Sequence, residues 1–143
     1  MQLPQPQCKF THEIDIQTRF GDVDMFGHVN NAAYVSMLDC AKIRFLQSVL
    51  GSDLTPARIG LVVVNINCSF FSPAYLDEPL KAATGVVAVS DRSLRLEQRI
   101  FNPLTGDVKC VCYNVLAGFD PTTATSAPVP DALKQLLQQN IGS

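Results

Sequence analysis

One long helix-forming segment, set between a single strand-like stretch and a run of four more, constrains this chain more than any other feature. It opens at Asn30-Asn31, where asparagine is a strong N-cap, and closes at Leu50 before Gly51. Along it Tyr34, Met37, Leu38, Ala41, Phe45, Leu46 and Val49 recur at three- and four-residue spacing, with Asp39, Lys42 and Arg44 elsewhere around the cylinder. Ahead of it, His12, Ile14, Ile16, Thr18 and Phe20 alternate with Glu13, Asp15, Gln17 and Arg19, the period of a half-buried strand. Behind it, residues 60–71, 79–89, 93–101 and 108–119 read as strands. Ser90-Asp91-Arg92 and the stretch from Asn102 to Asp107 carry turn chemistry, which makes the last three strands antiparallel neighbours. In the first of the four, Val62, Val64, Ile66, Cys68 and Phe70 would form an unbroken apolar face, while Asn65, Asn67 and Ser69 turn the other face polar. The last is apolar on both faces and is expected to be central or covered on both sides.

This order predicts an α+β fold: a long helix against a curved antiparallel sheet of about five strands. The second sheet face and the sheet edge still need cover, and self-association is the economical solution. A chain of 143 residues makes one domain, spanning 1–143. The Pro-, Thr- and Ala-rich stretch 121–130 reads as a linker or surface loop, and 131–140 as a short terminal helix.

Composition excludes several function classes. A formal net charge of −2 gives no basic excess for nucleic acid or an anionic membrane surface. The longest apolar run, Ile59 to Val64, is far short of the roughly 20 residues of a membrane span. The first eight residues lack a basic stretch leading into an apolar core, so no signal peptide is expected and a cytoplasmic location is. Five scattered cysteines argue against a disulfide framework. Cys110 and Cys112 share one face of a strand but have no histidine pair nearby, so they read as small apolar residues and not as a zinc site. Neither a metal nor an organic cofactor is implied.

The chemistry-bearing segment is the loop before the helix, Gly21-Asp-Val-Asp-Met-Phe-Gly-His-Val. Asp24 stands ahead of the helix start on a glycine-flanked stretch that can bend back toward it. A helix N-terminus offers unpaired N–H groups and a partial positive charge, which suits a reaction that develops negative charge on oxygen. A carboxylate beside such a site is a minimal acyl-transfer apparatus. Asp22 is a second loop carboxylate, read as a solvated charge.

The segment from Arg19 to Tyr34, Arg-Phe-Gly-Asp-Val-Asp-Met-Phe-Gly-His-Val-Asn-Asn-Ala-Ala-Tyr, resembles the active-site element of hotdog-fold thioesterases of the 4-hydroxybenzoyl-CoA thioesterase branch. Residues 61–76, Leu-Val-Val-Val-Asn-Ile-Asn-Cys-Ser-Phe-Phe-Ser-Pro-Ala-Tyr-Leu, resemble the following strand in bacterial long-chain acyl-CoA thioesterases. The resemblance covers about residues 12–119 in element order and implies a hotdog fold and an acyl-CoA thioesterase. It implies that Asp24 is the catalytic carboxylate, that the Asn31 N–H is the oxyanion donor, and that His28 lines the thioester pocket or orients Asp24. Gly27, Asn30, Tyr34, Val64 and Asn65 would contact substrate, with Asn30 serving chiefly as N-cap. Where relatives commonly carry an arginine in the helix, this chain has Lys42.

A carboxylate is a poor base toward water at neutral pH, so direct attack by Asp24 through a mixed anhydride is favoured over general-base catalysis. The apolar helix face with Val62, Val64 and Ile66 would supply an acyl channel completed in a homodimer or homotetramer, with Arg58, Lys81, Arg92, Arg95 and Arg99 as candidates for the CoA phosphates. A non-catalytic acyl-CoA-binding module is the alternative, and a hotdog hydratase or dehydratase a further one.

Overall fold

The computed structural model describes residues 2–51 and 54–141. The elements are β1 (His12–Ile16), α1 (Asn31–Leu50), the one-turn α2 (Pro56–Ile59), β2 (Leu61–Phe70), β3 (Leu80–Val89), β4 (Ser93–Phe101), β5 (Val108–Asp120), β6 (Thr125–Ser126) and α3 (Asp131–Gln138). The strands form an antiparallel sheet in the order β1-β3-β4-β5-β2, with β6 on β5. As expected of a strand apolar on both faces, β5 is interior, between β4 and β2.

α1 lies across one sheet face. Toward its N-terminus Tyr34, Met37 and Leu38 pack on Ala82, Ile100, Cys110 and Cys112; toward its C-terminus Phe45 and Leu46 pack on Val86, Leu94, Leu96 and Leu116. The buried Gln98 side chain donates to the Leu38 carbonyl at 3.0 Å, tying helix to sheet. Lys42 departs from the expected pattern, being buried with the apolar stripe. α3 is part of the second core: Leu133 and Leu137 are fully buried there, each contributing about 1.5–3 kcal/mol.

Four local features differ from the sequence reading. β1 stops at Ile16, because the Asp22 carboxylate caps the Arg19 N–H at 2.8 Å and a 3-10 turn over Phe20–Asp22 follows. Phe20 is consequently exposed. β2 carries a bulge: Val63 opposes Leu116 and Asn65 opposes Val115, leaving Val64 unpaired. The parity flip puts Leu61, Val63, Ile66, Cys68 and Phe70 on the helix side and Val62 on the other, so the predicted face is broken at Val64. Residues 121–130, read as a linker or surface loop, are mostly exposed, but they include β6 paired with β5 and the buried Val129. Finally, residues 2–11 run over the sheet face opposite α1. There Arg99 donates to the Pro4 carbonyl at 2.6 Å, and the Gln7 N–H donates at 2.8 Å to Glu97, which pairs with Arg99 at 2.8 Å. Gly85 allows this approach: a Cβ there would stand 2.4 Å from the Lys9 carbonyl oxygen.

Candidate active site

The loop from Arg19 to Asn30 is organised by its own short polar side chains. Asp24 starts a tight turn, its carbonyl accepting the Gly27 N–H at 3.0 Å, and its N–H returns to the His28 carbonyl at 2.9 Å. Gly27 sits at φ +77, the left-handed conformation that glycine adopts without steric cost. The Asp24 side chain reinforces the turn, Oδ1 accepting from the N–H groups of Phe26 (2.9 Å) and His28 (3.2 Å). Among the described residues no donor reaches Oδ2, so one carboxylate oxygen is fixed and the other is open.

Asn30 joins this loop to the helix. Its Oδ1 accepts the Ala33 N–H at 2.8 Å as N-cap, and its Nδ2 and backbone N–H both donate to the Asp22 carbonyl, at 3.0 and 2.9 Å. With Ala33 capped by the side chain and Tyr34 bonded to the Asn30 carbonyl, the Asn31 and Ala32 N–H groups have no acceptor among the described residues. Asp24, His28, Asn30, Asn31 and Tyr34 line a single cavity of about 570 Å³, within the range of small-molecule sites. Gly27 lies beside it in the Asp24 turn.

The opposite wall comes from the end of β2 and the turn after it: Phe70, Phe71, Ser72 and Pro73. Tyr34 meets Phe70 at a tilt of 42° with ring centroids 5.3 Å apart, and its buried hydroxyl has no hydrogen-bond partner among the described residues. Burial pushes that hydroxyl up to about 12, so it stays a neutral donor at physiological pH. His28 meets Tyr75 edge-on at 5.1 Å and pairs with it as an isolated bridge, which holds the loop against this wall.

The wall is pinned from beneath by Lys109, which the sequence reading did not single out. Its buried ammonium bonds Glu78 and Asp107 at 2.8 Å each and the Pro73 carbonyl at 3.0 Å. Burial works to lower its pKa, but the hydrogen bonds it donates to Asp107 and Glu78 outweigh it and the value is raised. A lysine inside a mostly apolar strand is the signal that could have marked it.

Val64 and Asn65, expected at the substrate site, do not line this cavity. The bulge leaves Val64 unpaired on an edge strand, and Asn65 borders a separate depression with Gln7, Asn67 and Tyr113. Large apolar side chains also stand in the open around Asp24: Phe20, Met25 and Phe26 are 84%, 90% and 74% exposed. No group of three or more His, Cys, Asp or Glu among the described residues could hold a metal ion, and no described helix is long and apolar enough to cross a membrane.

A family model for the thioesterase-like superfamily matches residues 18–137. The chain is 28% identical over 133 residues to the long-chain acyl-CoA thioesterase FadM of Escherichia coli (strain K12), a match covering 90% of this chain and 98% of that protein. Its fold is similar to a thioesterase from Thermus thermophilus solved with coenzyme A and Zn, at TM-score 0.82 and 25% identity over 94% of this chain and 96% of that one. It is also similar to YbaW, a probable thioesterase from Escherichia coli, at TM-score 0.75 and 27% identity over 90% of this chain and 98% of that one. With an open carboxylate and a capped helix N-terminus on one cavity, these matches make the chain a hotdog-fold thioesterase belonging to the thioesterase-like superfamily.

Proposed function

We propose that this enzyme hydrolyses an acyl-CoA with Asp24 as nucleophile and the Asn31 N–H as oxyanion donor. The supporting observation is the split role of Asp24: Oδ1 is held by two backbone N–H groups, while Oδ2 is open on the cavity that Asn31 also lines. Oδ2 attacks the thioester carbon, and the carbonyl oxygen takes up the charge against the helix N-terminus. Collapse expels CoA as thiolate and leaves an acyl–aspartyl anhydride. Water opens the anhydride, releasing the acid and restoring the carboxylate. His28, anchored against Tyr75, shapes the pocket between Asp24 and the β2 wall, and Tyr34 and Phe70 contact the acyl group.

The enzyme acts in the cytoplasm as a homodimer or homotetramer. β2 is an edge strand on which Val62, Val63, Val64 and Ile66 are 38–57% exposed, and it lacks the charges or prolines that usually blunt such an edge. A second copy along β2 would cover these residues and give Val64 and Asn65 a place at the joint site. Light scattering should therefore return a multiple of the 15.6 kDa chain mass.

The decisive variant is Asp24→Asn, which keeps an oxygen to accept the Phe26 and His28 N–H groups and removes only the nucleophile. Free-thiol release from a panel of acyl-CoAs should fall by about 10²-fold or more with the fold intact. Wild-type protein that binds acyl-CoA without releasing thiol would instead mark a binding module. Single turnover in heavy-oxygen water that labels Asp24 would establish an anhydride opened at its aspartyl carbon, whereas label confined to the released acid would mean that water attacks the acyl carbon, of the anhydride or of the thioester itself.

A further inference from the structure

Away from the catalytic loop, three of the five cysteines meet under α1. Cys68 on β2 faces Cys112 on β5 as a register pair, and Phe70 faces Cys110 one step along. The Sγ atoms of Cys68 and Cys112 are 2.8 Å apart. The ladder fixes what kind of pair this is. The Phe71 N–H donates to the Lys109 carbonyl at 2.9 Å, so 71 and 109 are a hydrogen-bonded pair. Counting back three residues along the register makes 68 and 112 a non-hydrogen-bonded pair, in which Cα atoms lie about 4.5 Å apart and side chains converge. That spacing falls inside the roughly 4.4–6.8 Å that a disulfide spans, so a bond between these sulfurs needs no movement of the strands.

The surroundings favour reaction at one sulfur of the pair. Cys68 is half-buried on the edge strand, whereas Cys110 and Cys112 are fully buried. Contact with the Cys110 and Cys112 thiols, helped by the Lys42 charge, draws the Cys68 thiol below its ordinary range; contact with Cys68 together with burial pushes those two up. Lys42 is 4% exposed and pairs at 3.3 Å with Asp39, whose side chain is largely in solvent. The Lys42 charge acts on the Cys68 and Cys112 thiols.

We propose that Cys68 and Cys112 form a reversible oxidation site, in which a peroxide-class oxidant attacks at Cys68 and Cys112 closes the disulfide. The Cys68 thiolate takes one oxygen from hydrogen peroxide to give a sulfenic acid, and the departing hydroxide takes up a proton as water. The Cys112 sulfur then displaces the sulfenic hydroxyl, losing its proton to a second water and forming the S–S bond. Two thiols give up two electrons and one peroxide becomes two waters. In a reducing compartment the pair rests as thiols and is oxidised only during a surge of oxidant.

The test treats the full-length reduced protein with hydrogen peroxide, blocks remaining thiols and measures intact mass and non-reduced peptides. The expected product is about 2 Da lighter than the reduced protein before blocking and takes up two fewer blocking groups after it, carries one peptide joining Cys68 to Cys112, and is restored by dithiothreitol. Cys110→Ser should give the same linkage. Cys112→Ser should not, and should accumulate a sulfenic acid at Cys68 that dimedone traps. Wild-type protein that loses no mass, or that links Cys68 to Cys110, overturns the proposal. Because the readout is mass, the result is independent of the thioesterase chemistry.

Discussion

Replacing Asn30 with alanine should cost both the helix and the catalytic loop, because one side chain serves both. The Oδ1 cap on Ala33 at 2.8 Å contributes about 1 kcal/mol, a typical N-cap value. The Nδ2 bond to the Asp22 carbonyl at 3.0 Å contributes about 1 kcal/mol more. The backbone bond from Asn30 to the same carbonyl survives substitution, so the loss is about 2 kcal/mol and not larger. For a chain of this length that corresponds to a drop in Tm of about 6 °C. Asn30→Asp separates the two effects, since it keeps the cap oxygen, adds a charge favoured at a helix N-terminus and loses only the donor. It should lose about 1 kcal/mol or less. Urea unfolding followed by circular dichroism, with unchanged m-value, measures both variants. Thiol-release activity should follow, because this residue sets the angle between the Asp24 turn and the free Asn31 N–H. An Asn30→Ala protein within about 0.5 kcal/mol of wild type, or an aspartate variant as weak as the alanine one, would refute this account of the loop–helix junction.

Lys109→Met should destabilise the protein by about 3 kcal/mol, because it strands the Glu78 carboxylate under the Ser72-Pro73 wall; urea titration checks it. Activity should fall with it, since Pro73 and Ser72 line the cavity that Lys109 supports. The pH dependence follows from the same pair. Burial works to raise the Glu78 carboxyl, but bonds from Lys109 and Asn102 outweigh it and hold the value below the ordinary 4.5. Its stabilisation is therefore present above pH 4.5 and lost as pH falls through the depressed value. Lys109 is raised above 10.5, so its share is complete below that pH and fades as pH rises beyond it. Urea midpoints measured across pH should show both flanks in wild type, and the acid flank should shrink in Lys109→Met, where Asn102 still holds Glu78.

Residue order alone determined the two longer helices and the sequence of the five main strands, and the resemblance to known thioesterases gave the main candidate for catalysis. The stripe from Tyr34 to Val49, the turn residues at 90–92 and 102–107 and the Asn30 cap are local signals, because a helical period, a hairpin turn and a cap each depend on a few neighbouring residues. The loop around Asp24 was legible for the same reason: the bonds that form its turn and tie it to Asn30 join residues within eight positions of each other. The bulge at Val64 was not, since whether a strand slips by one residue is decided by the partner it pairs with, and apolar residues on both parities fit either register. Nor could local reading place Ser72 and Pro73 opposite Asp24, bury Lys42 and Lys109, or bring Cys68 to Cys112. Those contacts span tens of residues, and only closing the sheet around α1 decides which charges are enclosed, which thiols meet and which wall faces the carboxylate.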